Sequence, residues 1–302
     1  MSEIVAKLTE IRAGRPEAVA EALASRRRRP LLKTGGTLFL LAADHPARGI
    51  VKVGDDPRAM ADRGDFLARI VTALQRPGVD GLMASPDVVD DLALLGALDD
   101  RVVIGSMNRG GLAGAVFELD DRFTGYTAEA IASANLDGGK MLLRIADDDP
   151  GTLPTLTACA EAVDSLAARG VMAMIEPFAS RRENGRVKII LEPDPTIRAI
   201  GISSALGSTS AYTWLKLPVV SEMERVMAST TLPALLLGGD PGADAEETFD
   251  GWRKAMEIPQ VRGLVAGRAL LYPGDGDVAG AVDTAAAIVS GGVSPKRETE
   301  VR

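Results

Sequence analysis

The chain has 302 residues, 46% of them hydrophobic and 25% charged, with a formal net charge of −8 at pH 7 and a pI near 4.9. This apolar content allows a sizeable core and excludes general disorder, and the acidic balance argues against binding to nucleic acids or anionic membranes. The single cysteine excludes an internal disulfide, and the single histidine argues against a histidine-rich metal site or a histidine-based triad.

From residue 37 onward, short apolar segments alternate with longer amphipathic, alanine-rich segments. The short segments predict strands over residues 37–43, 79–84, 102–106, 139–145, 171–175, 212–217, 234–237 and 263–266. The longer segments predict helices near residues 57–75, 86–97, 125–135, 152–169, 194–206, 220–229, 243–256 and 276–290. Eight such strand–helix pairs indicate an α/β fold with a parallel sheet, and they favour a (β/α)8 TIM barrel over a doubly wound sheet. No Gly-x-Gly-x-x-Gly motif follows the first strand, so the dinucleotide-binding alternative lacks its fingerprint.

Two segments lie outside this alternation. Residues 1–30 predict an extra N-terminal helical segment, and we interpret the arginines of its final "SRRRRP" as a solvated helix end rather than an anion-binding patch. The polar tail over 291–302 lacks periodicity and predicts disorder. Because no interdomain linker is evident, we expect one domain over 1–302.

Polar residues at the ends of the predicted strands are the candidates for chemistry, since active groups of a TIM barrel lie at the carboxyl ends of its strands. These candidates are Asp44, Arg109, Lys140, Arg144, Glu176 and Lys216. Asp44 can be a helix or loop cap, or it can be catalytic or orient a lysine. Glu176 can simply pair with a lysine or can transfer a proton. Asn108 and Arg109 lie in a glycine-rich loop that can be surface, although Arg109 is placed to meet a substrate anion. We interpret His45 as a loop residue that makes hydrogen bonds rather than as a catalyst.

Lys216 lies inside the apolar segment "YTWLKLP". A closed barrel has no edge strand, so an edge position does not explain this charge. An ion pair with Asp44 or Glu176 is one explanation. A reactive amine is the other, because a desolvated lysine near other cations has a lowered pKa and can form a Schiff base with a carbonyl. Lys140 and Arg144 can supply those cations, since positions i and i+4 share one face of a strand.

Two glycine turns predict a phosphate site. Gly238 and Gly239 follow the seventh predicted strand, and Gly267 and Arg268 follow the eighth. Loops at these two strands of a TIM barrel often bind phosphate through backbone N–H groups. A turn that simply requires glycine is the alternative explanation.

Together these motifs resemble the class I aldolases of the DeoC/LacD superfamily, over about residues 37–272. The segments that carry the resemblance are "LAADHPARG", "GGKMLLRI", "MIEPF", "YTWLKLP", "LLLGGD" and "GLVAGRALL". The resemblance implies that Lys216 forms the Schiff base, that Lys140, Glu176 and Asp44 complete the catalytic set, and that the two glycine turns bind phosphate. Residues inserted after the third and fifth strands have no placed counterpart, and no position matching the catalytic tyrosine of some fructose-bisphosphate members is evident.

The sequence looks closest to an actinobacterial-type branch of this family that is associated with inositol catabolism. That resemblance implies cleavage of 5-dehydro-2-deoxy-6-phosphogluconate to dihydroxyacetone phosphate and malonate semialdehyde, without a metal or cofactor. An aldolase for a ketose (bis)phosphate or deoxyribose phosphate is one alternative, and a non-catalytic barrel that binds a sugar phosphate is another. We expect a small phosphorylated sugar or sugar acid as the ligand, no nucleic acid or membrane partner, and a homo-oligomer. With no signal sequence and no apolar run of about 18 residues, we expect a soluble cytoplasmic protein.

Overall fold

A computed structural model describes residues 3–33, 35–239 and 245–291. The strands are β1 (Leu38–Ala43), β2 (Gly81–Ala84), β3 (Val102–Ser106), β4 (Gly138–Ile145), β5 (Met172–Glu183), β6 (Arg186–Ile189), β7 (Thr213–Leu217), β8 (Ala234–Leu237) and β9 (Val261–Ala266). The helices are α1 (Glu3–Gly14), α2 (Ala18–Ser25), α3 (Arg63–Leu74), α4 (Pro86–Leu94), α5 (Ala128–Ser133), α6 (Thr152–Ala167), α7 (Pro193–Ser204), α8 (Met223–Met227), α9 (Ala245–Ala255), α10 (Arg268–Leu271) and α11 (Val278–Gly291), with a 3₁₀ turn at Pro46–Arg48. Each predicted strand and helix overlaps an observed one.

The parallel strands close into a barrel. β1 pairs with β2 on one side and with β9 on the other, and the β4–β5 and β5–β7 pairings complete the circle of eight. The predicted TIM barrel is therefore confirmed. Alternate residues of each strand point inward, so Leu38 and Leu40 fill the barrel interior while Phe39 and Leu41 pack between the strands and the helices.

β5 extends beyond the barrel, which the sequence prediction missed. It continues past the predicted end at Ile175 as far as Glu183 and forms an antiparallel hairpin with β6. Asn184 and Gly185 form the turn with positive φ angles of 50° and 76°. An Asn-Gly pair between two strands is a strong hairpin signal, because both residues tolerate this backbone conformation.

Helix boundaries differ most at α3. The prediction began this helix at residue 57, but the Asp62 side chain accepts a hydrogen bond from the Asp65 N–H at 2.9 Å and caps a helix that starts at Arg63. The first two residues of the helix predicted over 243–256 lie outside the described residues. No helix in the described part of the chain is long and apolar enough to cross a membrane.

Two helices, α1 and α2, precede the barrel. Of the four arginines that follow them, Arg27 and Arg28 are exposed as predicted, but the side chains of Arg26 and Arg29 are largely buried. Arg26 is buried and donates to the carbonyls of Arg101 and Asn135 at 2.6 Å each. Arg29 pairs with the buried Asp80, which also accepts from the Phe39 N–H at 2.9 Å. These contacts tie the N-terminal segment to the amino ends of the strands, a face of the barrel that serves stability.

Of the tail predicted to be disordered over 291–302, only Gly291, the last residue of α11, is described. The other residues of that tail lie outside the described residues.

Candidate active site

The carboxyl ends of the barrel strands surround a cavity of about 1090 Å³, called here the barrel cavity. Nine of the ten residues predicted for the site line it. These nine are Asp44, Arg109, Arg144, Glu176, Lys216, Gly238, Gly239, Gly267 and Arg268. The tenth, Lys140, is almost fully buried beneath them at 1% exposure.

Five charged side chains meet at the base of the cavity and form what we call the inner cluster: Asp44, Arg109, Lys140, Glu176 and Lys216. The Glu176 carboxylate lies between two ammonium groups, with one oxygen on Lys216 and the other on Lys140. Asp44 contacts the Arg109 guanidinium, and its Oδ2 lies 3.6 Å from the Lys140 Nζ. All five side chains are buried. The ion pair that the sequence allowed for Lys216 is therefore present, and its partner is Glu176.

The local sequence explains how these groups converge. Lys140, Glu176 and Lys216 lie on β4, β5 and β7, which are neighbours in the barrel. Each occupies an inward-facing position, because the residues beside them, such as Met141, Ile175 and Leu215, pack in the outer core. Lys140, Glu176 and Lys216 therefore point from three otherwise apolar strands into the same part of the barrel interior.

Burial and charge set the protonation of this cluster. Burial lowers the pKa of Lys216, Glu176 opposes that effect, and the cations Arg109 and Arg268 lower it further. Burial, followed by Arg109, holds the pKa of Lys140 well below its ordinary value. Burial alone would raise the pKa of Glu176, but the two lysines outweigh it and bring this pKa well below the usual range. Glu176 is therefore a carboxylate at neutral pH, and both amines lose their protons more easily than a solvated lysine.

Access distinguishes the two lysines. Lys216 lines the cavity at 6% exposure, whereas Lys140 is 1% exposed and does not reach the lining. A ligand in the cavity meets the amine of Lys216. Lys140 instead contacts both carboxylates of the inner cluster, which suits a positioning and charge-balancing role.

Arg144 is not the cation that acts on Lys216, contrary to the sequence interpretation. Its Nη1 donates to Glu118 Oε1 at 2.7 Å, and its Nη2 lies 3.4 Å from Asp121 Oδ2. Arg48 shares the same Glu118 oxygen at 3.2 Å. Burial and the nearby Arg48 lower the pKa of Arg144 to about 10. Arg144 thus lines the cavity but has protein partners, and its main effect is to hold the loop between β3 and α5.

That loop also contains residues that the sequence analysis missed or misplaced. Glu118 and Asp121 lie in the insert after the third strand, where no periodicity indicates which way a side chain points. Asn108 is buried rather than at the surface. Its amide accepts from the Leu142 N–H at 2.7 Å and donates to the Leu142 carbonyl at 2.6 Å. The side chain therefore continues the β3–β4 pairing beyond the end of β3.

The two glycine turns lie side by side on the cavity wall. A Cβ at Gly267 would press into the carbonyl oxygen of Ala42 and lie 3.1 Å from His45 Cε1. A Cβ at Gly238 would lie 3.1 Å from Ala266. Gly239 has a φ angle of +69° and is the last residue described before 245. Close packing therefore explains Gly267 without reference to a ligand, and the phosphate site stays a prediction.

His45 also lines the cavity, at the junction of β1 and the 3₁₀ turn, and is half-buried. Burial, together with the cations Arg268 and Lys216, holds its pKa well below the ordinary value of a histidine. The imidazole is therefore neutral at pH 7.

Comparison with known proteins places the chain in a family. The Cgl0159-like family model matches residues 36–286. The crystal structure of Cgl0159 from Corynebacterium glutamicum shares 52% identity and a TM-score of 0.94 over 96% of this chain and 98% of that one.

Two aldolase structures share the fold at lower identity. The structure of an archaeal fructose 1,6-bisphosphate aldolase has 16% identity and a TM-score of 0.64 over 90% of this chain and 99% of that one. The structure of an archaeal fructose-1,6-bisphosphate aldolase whose catalytic lysine is covalently bound to the carbinolamine intermediate has 15% identity and a TM-score of 0.61 over the same shares. No curated protein matches the chain. The family match over most of the chain and the 52% identity show that this protein belongs to the Cgl0159-like family.

Proposed function

We propose that the protein is a class I aldolase that cleaves a phosphorylated ketose or keto acid through a Schiff base on Lys216. The observation that carries this proposal is that Lys216 is buried, has a lowered pKa and lines the barrel cavity. The Glu176 carboxylate that pairs with Lys216 also contacts a second buried lysine, Lys140. Such an environment favours the neutral, nucleophilic amine. Schiff-base aldolases of the same fold support the proposal by analogy only.

The chemistry follows from this amine. Lys216 attacks the substrate ketone, and loss of water gives an iminium that accepts the electron pair of the neighbouring C–C bond. Removal of a proton from the β-hydroxyl lets the aldehyde leave, and the resulting enamine is protonated and hydrolysed. Lys140 holds Glu176 and Asp44 in place and keeps positive charge next to the reacting nitrogen.

The balance of charge suits an anionic substrate. With Lys216 as the neutral amine, the inner cluster has two cationic side chains, Lys140 and Arg109, and two carboxylates, and Arg268 adds a further cation on the cavity wall. In a site of low dielectric, such an excess attracts a phosphate or carboxylate strongly. We place the substrate phosphate at the glycine turns, beside Arg268.

The substrate itself is proposed from the sequence resemblance. Our first candidate is 5-dehydro-2-deoxy-6-phosphogluconate, whose carboxylate would replace Asp44 as the partner of Arg109. Ketose bisphosphates and deoxyribose phosphate are the alternatives, and a turnover screen over these compounds separates them.

Borohydride reduction in the presence of dihydroxyacetone phosphate tests the reaction class. We expect a reduced adduct on Lys216 and cleavage of at least one phosphorylated ketose or keto acid. Binding of the phosphate ester without an adduct or turnover would instead support the non-catalytic barrel.

A further inference from the structure

The proposed aldolase reaction needs a group that moves protons, and the inference below depends on that proposed function. During cleavage, a base must take the proton of the β-hydroxyl. After the aldehyde has left, an acid must give a proton to the enamine carbon. A group that performs both steps lies in the cavity beside the imine and can hold the proton between them.

The two carboxylates of the inner cluster are poorly suited to this task. Glu176 is bound by both lysines, and Asp44 contacts Arg109 and accepts a hydrogen bond from Ser106. Protonation of either carboxylate would leave buried cations without their partners, which is costly. The lowered pKa of Glu176 reflects this penalty. Each carboxylate therefore gives up an ion pair with a buried cation when it takes a proton.

Tyrosine is not available for the task among the described residues that line the cavity, because none of them is a tyrosine. The lining does include His45, whose side chain forms no ion pair with a carboxylate in the described part of the chain. Gly267 leaves the space that the imidazole occupies, since a Cβ there would lie 3.1 Å from His45 Cε1. The ring therefore packs against the Gly267 turn on the wall of the cavity that Lys216 also lines.

Charged groups on several neighbouring elements determine the pKa of the His45 ring. Burial and the cations Arg268 of α10, Lys216 of β7 and Lys140 of β4 lower its pKa, and Glu176 of β5 opposes them. The ring is therefore neutral in the resting enzyme and free to accept a proton. Once protonated, it is a stronger acid than a solvated imidazolium, so it can release that proton to carbon.

We propose that His45 is the proton carrier of the reaction. In the cleavage step, an imidazole nitrogen takes the β-hydroxyl proton, the O–H electron pair forms the aldehyde C=O, and the C–C pair moves to the iminium to form the enamine. In the next step, the imidazolium N–H breaks, the enamine pair forms a new C–H bond, and the iminium returns. The ring ends neutral, so the proton is conserved between the two steps.

Solvent exchange isolates the second step. The protein is incubated with dihydroxyacetone phosphate in deuterium oxide, and loss of the carbon-bound proton is followed by NMR, which requires no aldehyde and no C–C cleavage. In His45→Gln we expect exchange and cleavage to fall about 10²–10⁴-fold, the usual contribution of general acid–base catalysis. The borohydride adduct on Lys216 at saturating dihydroxyacetone phosphate should stay within about twofold of the wild type, since imine formation is kept.

Added imidazole provides a control for a structural role. In His45→Ala, free imidazole should restore part of the exchange rate, which a merely space-filling histidine would not explain. Exchange in His45→Gln close to the wild-type rate, with the adduct intact, would overturn the proposal. A wild-type protein that forms no adduct would instead overturn the aldolase function itself, and this inference with it.

The chain offers a direct spectroscopic check, because His45 is its only histidine. Labelling an untagged protein with ¹⁵N-histidine gives the two ring-nitrogen signals of one imidazole. We expect the shifts of a neutral ring at pH 7. Two protonated nitrogens at this pH would contradict the role of His45 as a base.

Discussion

Glu176→Gln is the substitution that examines the electrostatics of the site most closely. Glu176 is the carboxylate that favours the protonated form of Lys216, against burial and against Arg109 and Arg268. The amide keeps the shape of the side chain and removes its charge. We therefore expect the pKa of Lys216 to fall further, so that the neutral amine is present at lower pH than in the wild type.

The size of the effect follows from the contact between the two groups. Unit charges about 4 Å apart interact by about 4 kcal/mol at an effective dielectric constant of about 20, which corresponds to at most about 3 pKa units. Because Lys140 shares the carboxylate, we expect a shift of about 1–2 units in the pH dependence of imine formation. The measurement is the rate of borohydride-trapped adduct with dihydroxyacetone phosphate as a function of pH.

Stability should change in the same variant with a defined sign. Removing one partner of a buried ion pair costs about 3–5 kcal/mol while the remaining charge stays buried. The folded-state pKa of Lys216 lies below its unfolded value, so the unfolded chain binds more protons between the two. The free energy of unfolding should therefore fall as the pH is lowered through that interval, over a wider range in the variant than in the wild type.

Glu118→Gln is the matched control, because Glu118 lines the same cavity but pairs with Arg48 and Arg144 rather than with a lysine. Its adduct formation should keep the wild-type pH dependence. A Glu176→Gln profile that does not move, or that moves to higher pH, would refute the electrostatic account of Lys216.

Two further substitutions separate the roles of other charged residues. Lys140→Met should lower turnover about 10- to 100-fold, or about 1.4–2.8 kcal/mol of barrier, and leave the adduct on Lys216, because Lys140 acts through Glu176 and Asp44. An adduct that disappears from Lys216 in this variant would contradict that role. Asp80→Asn should lower the free energy of unfolding in urea by about 3 kcal/mol without changing adduct formation, because Arg29 would lose its buried partner at the opposite end of the barrel. Unchanged urea stability would show that this pair does not secure the N-terminal segment.

The sequence predicts much of the inner cluster because strand geometry is regular. Successive side chains of a strand point to opposite faces, so Lys140, Glu176 and Lys216 share the inner face once the strands are identified. Strand order along the chain brings their three strands together. The sequence therefore placed Lys140 and Lys216 inside predicted strands and Glu176 directly after the strand predicted over 171–175, and β5 extends far enough to include Glu176.

The pairings of the arginines could not be predicted in this way. Arg144 faces inward as its position on β4 requires, but its partners Glu118 and Asp121 lie in a loop without periodicity. Their positions depend on how the insert packs in three dimensions. The β5–β6 hairpin is different, because its Asn184-Gly185 turn carried a recognisable signal that the alternation of apolar segments obscured.

Mapping the reduced adduct tests the central claim most directly. After borohydride treatment with dihydroxyacetone phosphate and digestion with trypsin, a modified Lys216 is not cleaved and appears in the peptide that spans 199–225, whereas a modified Lys140 appears in the peptide 123–144. The account predicts the adduct on 199–225 in the wild type and its absence in Lys216→Met. An adduct on 123–144 alone, or no adduct on either peptide, would contradict it.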